Sequence, residues 1–249
     1  MILAIETATS ACSAAVVAAD GALVAQRVED EGPKHTQRLL PFVHEVLGEA
    51  GVALGDLDAV VCGLGPGAYT GMRIGVATAR ALAQASGLRL AGAPTLAAVA
   101  LALGAEAAPG APLVALLDGK RREVFAGVFR CDMTAGAGAD QARVAPALAE
   151  LAPLTVVAAD DLAGYLTHWP GAVVGGDGAA LYADRVPAAV TVATSVATPT
   201  AAMVARAWLT GVPGAVEGFA SVLPVYGRAP DAVRWQARPA AGAGSGGAS

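Results

Sequence analysis

The sequence predicts an α/β protein made of two strand-rich halves, and three observations carry that prediction. Each half opens on apolar strands joined by a tight turn, at residues 2–29 and again at 113–129. Strand-length apolar runs then alternate with longer Ala/Leu runs of helical period, the pattern of mixed sheets flanked by helices. Between the halves, residues 105–112 read AEAAPGAP, the clearest hinge composition in the chain. The order of elements suggests duplicated α/β units, although no sequence repeat relates them.

Taken in order, residues 2–5, 13–18 and 23–29 read as three strands, with Asp20-Gly21 as a hairpin turn signal. The first turn, residues 6–13 (ETATSACS), is rich in hydroxyls. It suits a donor-lined phosphate turn or an ordinary hairpin whose Ser and Thr satisfy their own backbone. Residues 34–50 form an amphipathic helix with Leu39, Leu40, Val43, Val46, Leu47 and Ala50 on one face, ended by Gly51. Pro41 removes an N–H, so the regular helix starts near residue 38 or kinks there. His35 and His44 are expected to be exposed or capping.

Residues 57–62 read as a buried strand leading into GLGPGAYTGMRIG at 63–75, and an Ala-rich helix leads out to Gly87. Thr70 stands where a helix cap is expected. A glycine-rich turn from strand to helix aims backbone N–H groups and a helix dipole at one spot, which is anion-site chemistry. Any tight strand-to-helix turn is built the same way. Along the helix, Gly71, Gly75, Ala79 and Ala83 recur every fourth residue, a small stripe that admits close approach of another element. Arg73, Arg80 and Gln84 form a separate polar stripe. Residues 88–91 make a short strand, and Pro94-Thr95 opens a helix to about residue 103.

The second half restarts with a strand at 113–117, a charged turn DGKRRE at 118–123, and a strand at 124–129. A loop is expected at 134–140, strands at 155–158 and 172–174, and a short helix at 160–167. Gly175-Gly176-Asp177-Gly178 is a second strand–glycine turn, with no Lys or Ser/Thr pair after it. A helix starts at Thr198-Pro199-Thr200 and runs to 209. Residues 240–249 contain only Gly, Ala and Ser.

Composition excludes several classes. Hydrophobic residues make up 55% of 249, much of it Ala, and aromatics only 4%, so the core is packed from small residues and Leu/Val. No apolar run reaches the length of a membrane-spanning helix, and residues 1–7 read as a strand rather than a signal peptide. Cys12, Cys62 and Cys131 are odd in number and far apart, as buried thiols of a reducing cytoplasm would be. His35, His44 and His168 show no metal-ligand spacing. The net charge of −5 argues against a surface that carries most of a nucleic-acid affinity.

Five motifs then converge on one family: ILAIETATSACSAAV at the start, HTQRLLP at 35–41, GLGPGAYTGMRIG at 63–75, LDGKRREVFAGVF at 117–129 and LPVYGRAPDAV at 223–233. In this order they resemble the TsaB (YeaZ) family over about residues 1–235. The resemblance implies an α/β, two-lobed fold of the actin/sugar-kinase/heat-shock ATPase (ASKHA) class. Its lobes would span 1–106, carrying the partner-binding helices, and 111–236, with a flexible tail at 237–249.

The resemblance also implies a function. Such subunits are scaffolds without catalytic residues or metal. They pair with the paralogous catalytic subunit TsaD and recruit the ATPase TsaE to install N6-threonylcarbamoyladenosine beside the anticodon of tRNAs reading ANN codons. The expected protein is cytoplasmic, a homodimer when alone, and in contact with tRNA only through the complex. It has no cofactor of its own, with ATP or ADP at the junction with TsaD. The partner interface is expected at Leu39, Leu40, Val43, Gly71, Arg73, Gly75, Ala79, Arg80 and Ala83. A nucleotide would meet Thr7, Thr9, Ser10, Gly65, Gly67 and Thr70. The residues agree in what they lack: His35 is followed at the fourth position by Leu39 and His44 by Gly48, so no HxxxH pair forms, and no Lys follows either glycine turn.

Two departures from the family stand out, Glu6 where the first strand commonly ends in Asp, and Gly227 where a bulky apolar residue is usual. The rival reading is a nucleotide-dependent phosphotransferase or ATPase of the same fold. A third, direct tRNA binding, rests on Arg38, Arg73, Arg80, Arg121 and Arg122.

Overall fold

The computed structural model describes residues 1–30, 34–135 and 144–227. Most of the expected loop at 134–140, the tail at 237–249 and the end of the 223–233 motif lie outside the described residues. The chain opens with β1 (Ile2–Glu6), β2 (Cys12–Val17) and β3 (Leu23–Glu29), an antiparallel meander. Helix α1 (His35–Ala50) crosses to β4 (Ala59–Gly63), which pairs parallel with β1. Helix α2 (Tyr69–Ser86) then leads to β5 (Arg89–Ala93), parallel to β4, and α3 (Thr95–Leu103) leaves the sheet.

The second half repeats this plan. Strands β6 (Pro112–Lys120), β7 (Glu123–Ala135) and β8 (Val144–Ala158) form a second antiparallel meander. Helix α4 (Leu162–Leu166) leads to β9 (Val173–Gly175), parallel to β6. Helix α5 (Asp177–Leu181) leads to β10 (Thr191–Val192), parallel to β9, and α6 (Ala201–Thr210) follows. The strand orders are therefore β5-β4-β1-β2-β3 and β10-β9-β6-β7-β8, with β11 (Val216–Glu217) added beside β5. The duplicated α/β plan is present in the topology although the sequence carries no repeat.

The two units exchange their last helices. α3 belongs by sequence to the first unit, yet it packs on β6, β7 and β9 of the second sheet. α6 belongs to the second, yet it covers β1, β2, β4 and β5 of the first, and α3 and α6 touch each other. Small side chains allow this: Ala201, Ala202 and Ala205 of α6 lie against Ala4, Ala15 and Val17, with little side chain to hold helix and sheet apart.

Local departures from expectation have local causes. α1 begins at His35 and runs through Pro41, whose ring is exposed, while Leu39, Phe42, Val43 and Val46 face the sheet. β4 begins at Ala59, after a short 3-10 turn at Leu54–Asp56. β8 is far longer than expected. As an outermost strand it tolerates Pro153, and its pairing with β7 passes from Ala152 to Thr155 without that residue. α6 starts at Ala201, with Pro199 left before the helix.

Candidate functional site

The glycine turn and the hydroxyl turn face each other, and the second fills the first. β1 ends in Glu6, whose carboxylate is buried. Its Oε1 accepts the Ala8 N–H at 2.6 Å, and its Oε2 accepts the Thr95 hydroxyl at 2.8 Å. The Thr95 oxygen in turn accepts the Gly65 N–H at 3.2 Å, and the Thr95 N–H donates to the Gly65 carbonyl at 2.8 Å. One carboxylate thus ties the first strand, the glycine turn and the start of α3 together. Burial raises the Glu6 pKa to about 6; the hydrogen bonds from Ala8 and Thr95 pull the other way and do not cancel it.

The glycines make room for this. A Cβ on Gly63 would lie 2.1 Å from Glu6 Oε2, and one on Gly67 would lie 2.0 Å from the Ala8 carbonyl oxygen. That carbonyl also accepts the Ala68 N–H at 2.6 Å. Gly71 and Gly75 continue the row: a Cβ on either would come within 2.2 Å of Thr7, at its carbonyl oxygen and its Oγ1. Thr7 Oγ1 donates to the Gly71 carbonyl at 2.8 Å.

These contacts show how the chain itself engages the residues at which a nucleotide was expected. Thr7 and Thr9 are buried, and Thr9 Oγ1 accepts the Ala11 N–H at 3.3 Å. Ser10 donates to Asp30 at 3.1 Å, and Gly65 and Gly67 are filled by Met72 and Ala8. Thr70 does not cap α2: the helix starts at Tyr69 with Ala68 in the cap position, and no side chain bonds there. Of the two readings of the turns, the self-satisfied hairpin accounts for these contacts. The space beside the glycine turn is filled by the chain's own Glu6 and Ala8.

His35 is likewise neither exposed nor capping. It is buried, with Nε2 3.0 Å from the Thr9 carbonyl and 3.1 Å from that of Ala11. Both partners are acceptors, so Nε2 carries the proton and pins the hydroxyl turn against α1. His44 is exposed. Among the described residues, no group of three His, Cys, Asp or Glu side chains could hold a metal ion. Cys12 and Cys62 are buried free thiols, pushed up to about 11 and about 12 mainly by burial, and Cys131 is half-buried.

The expected partner face is also redrawn. Gly71, Gly75, Ala79 and Ala83 are buried against the chain's own first sheet, and the turn at Thr7 takes the space that the missing side chains of Gly71 and Gly75 leave. Leu39 and Val43 are buried in the same core. Arg80 is half-buried and donates to the carbonyls of Phe219 and Val222. Leu40 is 57% exposed, and Arg73 is exposed. The face of α2 that points outward carries Thr70, Arg73, Ala77, Ala81 and Gln84.

The second half holds a muted copy of the site. Asp118 Oδ1 accepts the Lys120 N–H at 2.8 Å, two residues on, as Glu6 does from Ala8. Asp177 accepts the Asp118 N–H at 3.0 Å. Its own pKa rises to about 6 through burial, with the Asp118 charge adding to the rise. Beyond Asp118, the hairpin turns through Lys120, Arg121 and Arg122, all left-handed at φ 60°, 54° and 59°. Gly227 has its reason in Phe125, whose ring would lie 2.5 Å from a Cβ there. Thr95, Ala8 and Tyr226 were not singled out from the sequence. Only Thr95 carried a signal, as the first residue of a helix that follows a short strand.

The family model described as TsaD, tRNA N6-adenosine threonylcarbamoyltransferase, matches residues 29–159. The chain is 41% identical over 132 residues to the tRNA threonylcarbamoyladenosine biosynthesis protein TsaB of Escherichia coli, covering 53% of this chain and 55% of that protein. It thus spans about half the length of the curated relatives it matches. The solved structure of YeaZ from Pseudomonas aeruginosa matches 90% of this chain and 98% of its own, at 29% identity and a TM-score of 0.65. The ethanolamine utilization protein EutJ from Carboxydothermus hydrogenoformans matches 82% and 89%, at 11% identity and a TM-score of 0.50, which speaks for the fold alone. The architecture is the actin-like ASKHA fold.

Proposed function

The chain belongs to the threonylcarbamoyltransferase family, on its TsaB (YeaZ) branch, and we propose that it serves there as the non-catalytic partner subunit in threonylcarbamoyladenosine formation on tRNA. It pairs with the paralogous catalytic subunit TsaD, recruits the ATPase TsaE, and forms a homodimer when neither is present. ATP or ADP, where it binds, sits at the junction with TsaD. One observation carries the reading. The glycine turn, built like a phosphate cradle, has the chain's own Glu6 and Ala8 packed against Gly63 and Gly67.

The outward face of α1 and α2 supports the pairing role. Leu40 stands exposed on α1, and Ala77 and Ala81 on α2 present a second small stripe, opposite the one that packs on the sheet. Two helices bearing such a face can meet a matching pair closely. No helix among the described residues is long and apolar enough to cross a membrane.

The test is a pull-down of purified TsaD and TsaE with this chain, with and without ATP. Retention of TsaD by the wild type and its loss in Ala81→Arg is the expected result. Appreciable ATP hydrolysis by the isolated chain would favour the phosphotransferase reading and sink this one.

A further inference from the structure

The segment 218–227 lies along the edge of α2 as a strap. Its Gly218 N–H bonds the Leu90 carbonyl at 2.8 Å, and its Val225 N–H bonds that of Leu64 at 2.7 Å. Val222 within it is fully buried. Arg80 of α2 donates to two strap carbonyls and lies over the Phe219 ring, 5.5 Å from its centre. At the other end, Tyr226 stacks on Tyr69 with ring centres 5.4 Å apart, and Arg73 lies over Tyr69 at 5.2 Å and donates to its hydroxyl at 2.5 Å.

The strap itself is well bonded, yet its outer surface is apolar and open. Tyr69 is 57% exposed, Leu223 56%, Tyr226 47% and Phe219 39%. Exposed aromatic groups clustered with arginine have the composition of an interface centre. The charge is one-sided as well. α2 and the strap contain two arginines and no acidic residue, in a chain whose net charge is −5.

We propose that this aromatic–arginine ladder anchors the paralogous catalytic subunit, which meets it with apolar surface bearing carboxylates. The inference rests on the pairing role above and extends the contact from the outward face of α2 onto the strap. Charge complementarity argues for an acidic partner. A protein surface suits the ladder better than single-stranded RNA does. Tyr69 already engages Tyr226 and Arg73, and Phe219 engages Arg80, so part of the ring surface that bases would stack on is in use within the chain.

The experiment measures binding of purified TsaD from the same organism by calorimetry, at low and high salt, to the wild type, Arg73→Glu, Tyr226→Ala and Ala81→Arg. Thermal melts check that each variant folds, and Arg73→Ala replaces Tyr226→Ala if the latter does not. Arg73→Glu and Tyr226→Ala should each weaken binding about tenfold or more, as loss of an anchor residue does. Wild-type affinity should fall as salt rises, and less steeply in Arg73→Glu. Ladder variants that bind like the wild type while Ala81→Arg does not would overturn the anchor and leave the pairing role standing. A wild type that fails to bind TsaD would overturn both. Arg73-dependent binding of a tRNA transcript by the isolated chain would assign the ladder to nucleic acid and overturn the proposal.

Discussion

The first unit of this chain carries α1 and α2 with 16 and 18 residues, whereas the second carries α4 and α5 with five each, between strands arranged in the same order. Five residues cover little more than one turn, enough to close a strand crossover and bury Leu162 and Leu166. Sixteen to eighteen residues cover the sheet and still present a long outward face. Both units keep a carboxylate at the end of their first strand, bonded to the backbone two residues on. Only in the first does a row of four glycines let the following turn sink between strand and helix. The same plan has thus been used once as a compact lobe and once as a platform. The filled cradle and the long outer helices occur together in the platform.

The largest expected effect tests the glycine row. Gly75→Leu would drive a side chain into Thr7 and force α2 off β1, with a loss of about 3 kcal/mol or more in urea denaturation. Ala77→Arg, on the outward face of the same helix, should change stability by less than about 0.5 kcal/mol. Equal stability of the two variants would break the distinction between inward and outward stripes. Gly67→Ala is the milder version, about 2 kcal/mol, because the clash is with the Ala8 backbone and the turn itself must shift.

The carboxylates offer a comparison by pH. Glu6 is held above its ordinary 4.5, at about 6, so the folded chain binds the proton more tightly than the unfolded one. Its contribution to stability is greatest below pH 4.5 and falls as pH rises to about 6, by about 2 kcal/mol in all. Glu6→Gln should remove that slope, so the variant gains on the wild type between pH 4.5 and 7 in parallel denaturation series. Asp177→Asn should behave with the same sign, between 3.8 and about 6. A slope unchanged in both variants would mean that neither carboxylate is buried as described.

The smallest effect concerns the second hairpin. Arg122→Gly supplies a residue suited to the left-handed turn, and should raise stability by about 1 kcal/mol in a thermal melt. The gain is reduced by loss of the exposed Arg122–Asp160 contact at 3.0 Å, which is worth little. A destabilised variant would show that Arg122 holds the turn rather than strains it.

Strands with bulky apolar runs were legible in the sequence almost to the residue, as at residues 23–29, because β-branched and alternating patterns are local. The long edge strand over 144–158 was not, since its prolines and alanines suit a strand only where one side has no partner. His35 looked like a surface residue because its acceptors, Thr9 and Ala11, are more than 20 residues away. The small stripe of α2 was legible as a stripe, but its direction was not. Periodicity locates a face and leaves open whether the chain or another molecule covers it.

The same limit runs through the whole molecule. Composition, turn chemistry and periodicity reached the α/β class, both hairpins, the glycine turn and the motifs of the family, because each of these is written in neighbouring residues. The exchange of α3 and α6 between sheets, the return of β11 to the first sheet, and the carboxylate seated in the glycine turn were decided by packing. Each joins residues far apart in the chain, such as Glu6 and Thr95, whose pairing depends on shape and burial that no local pattern encodes.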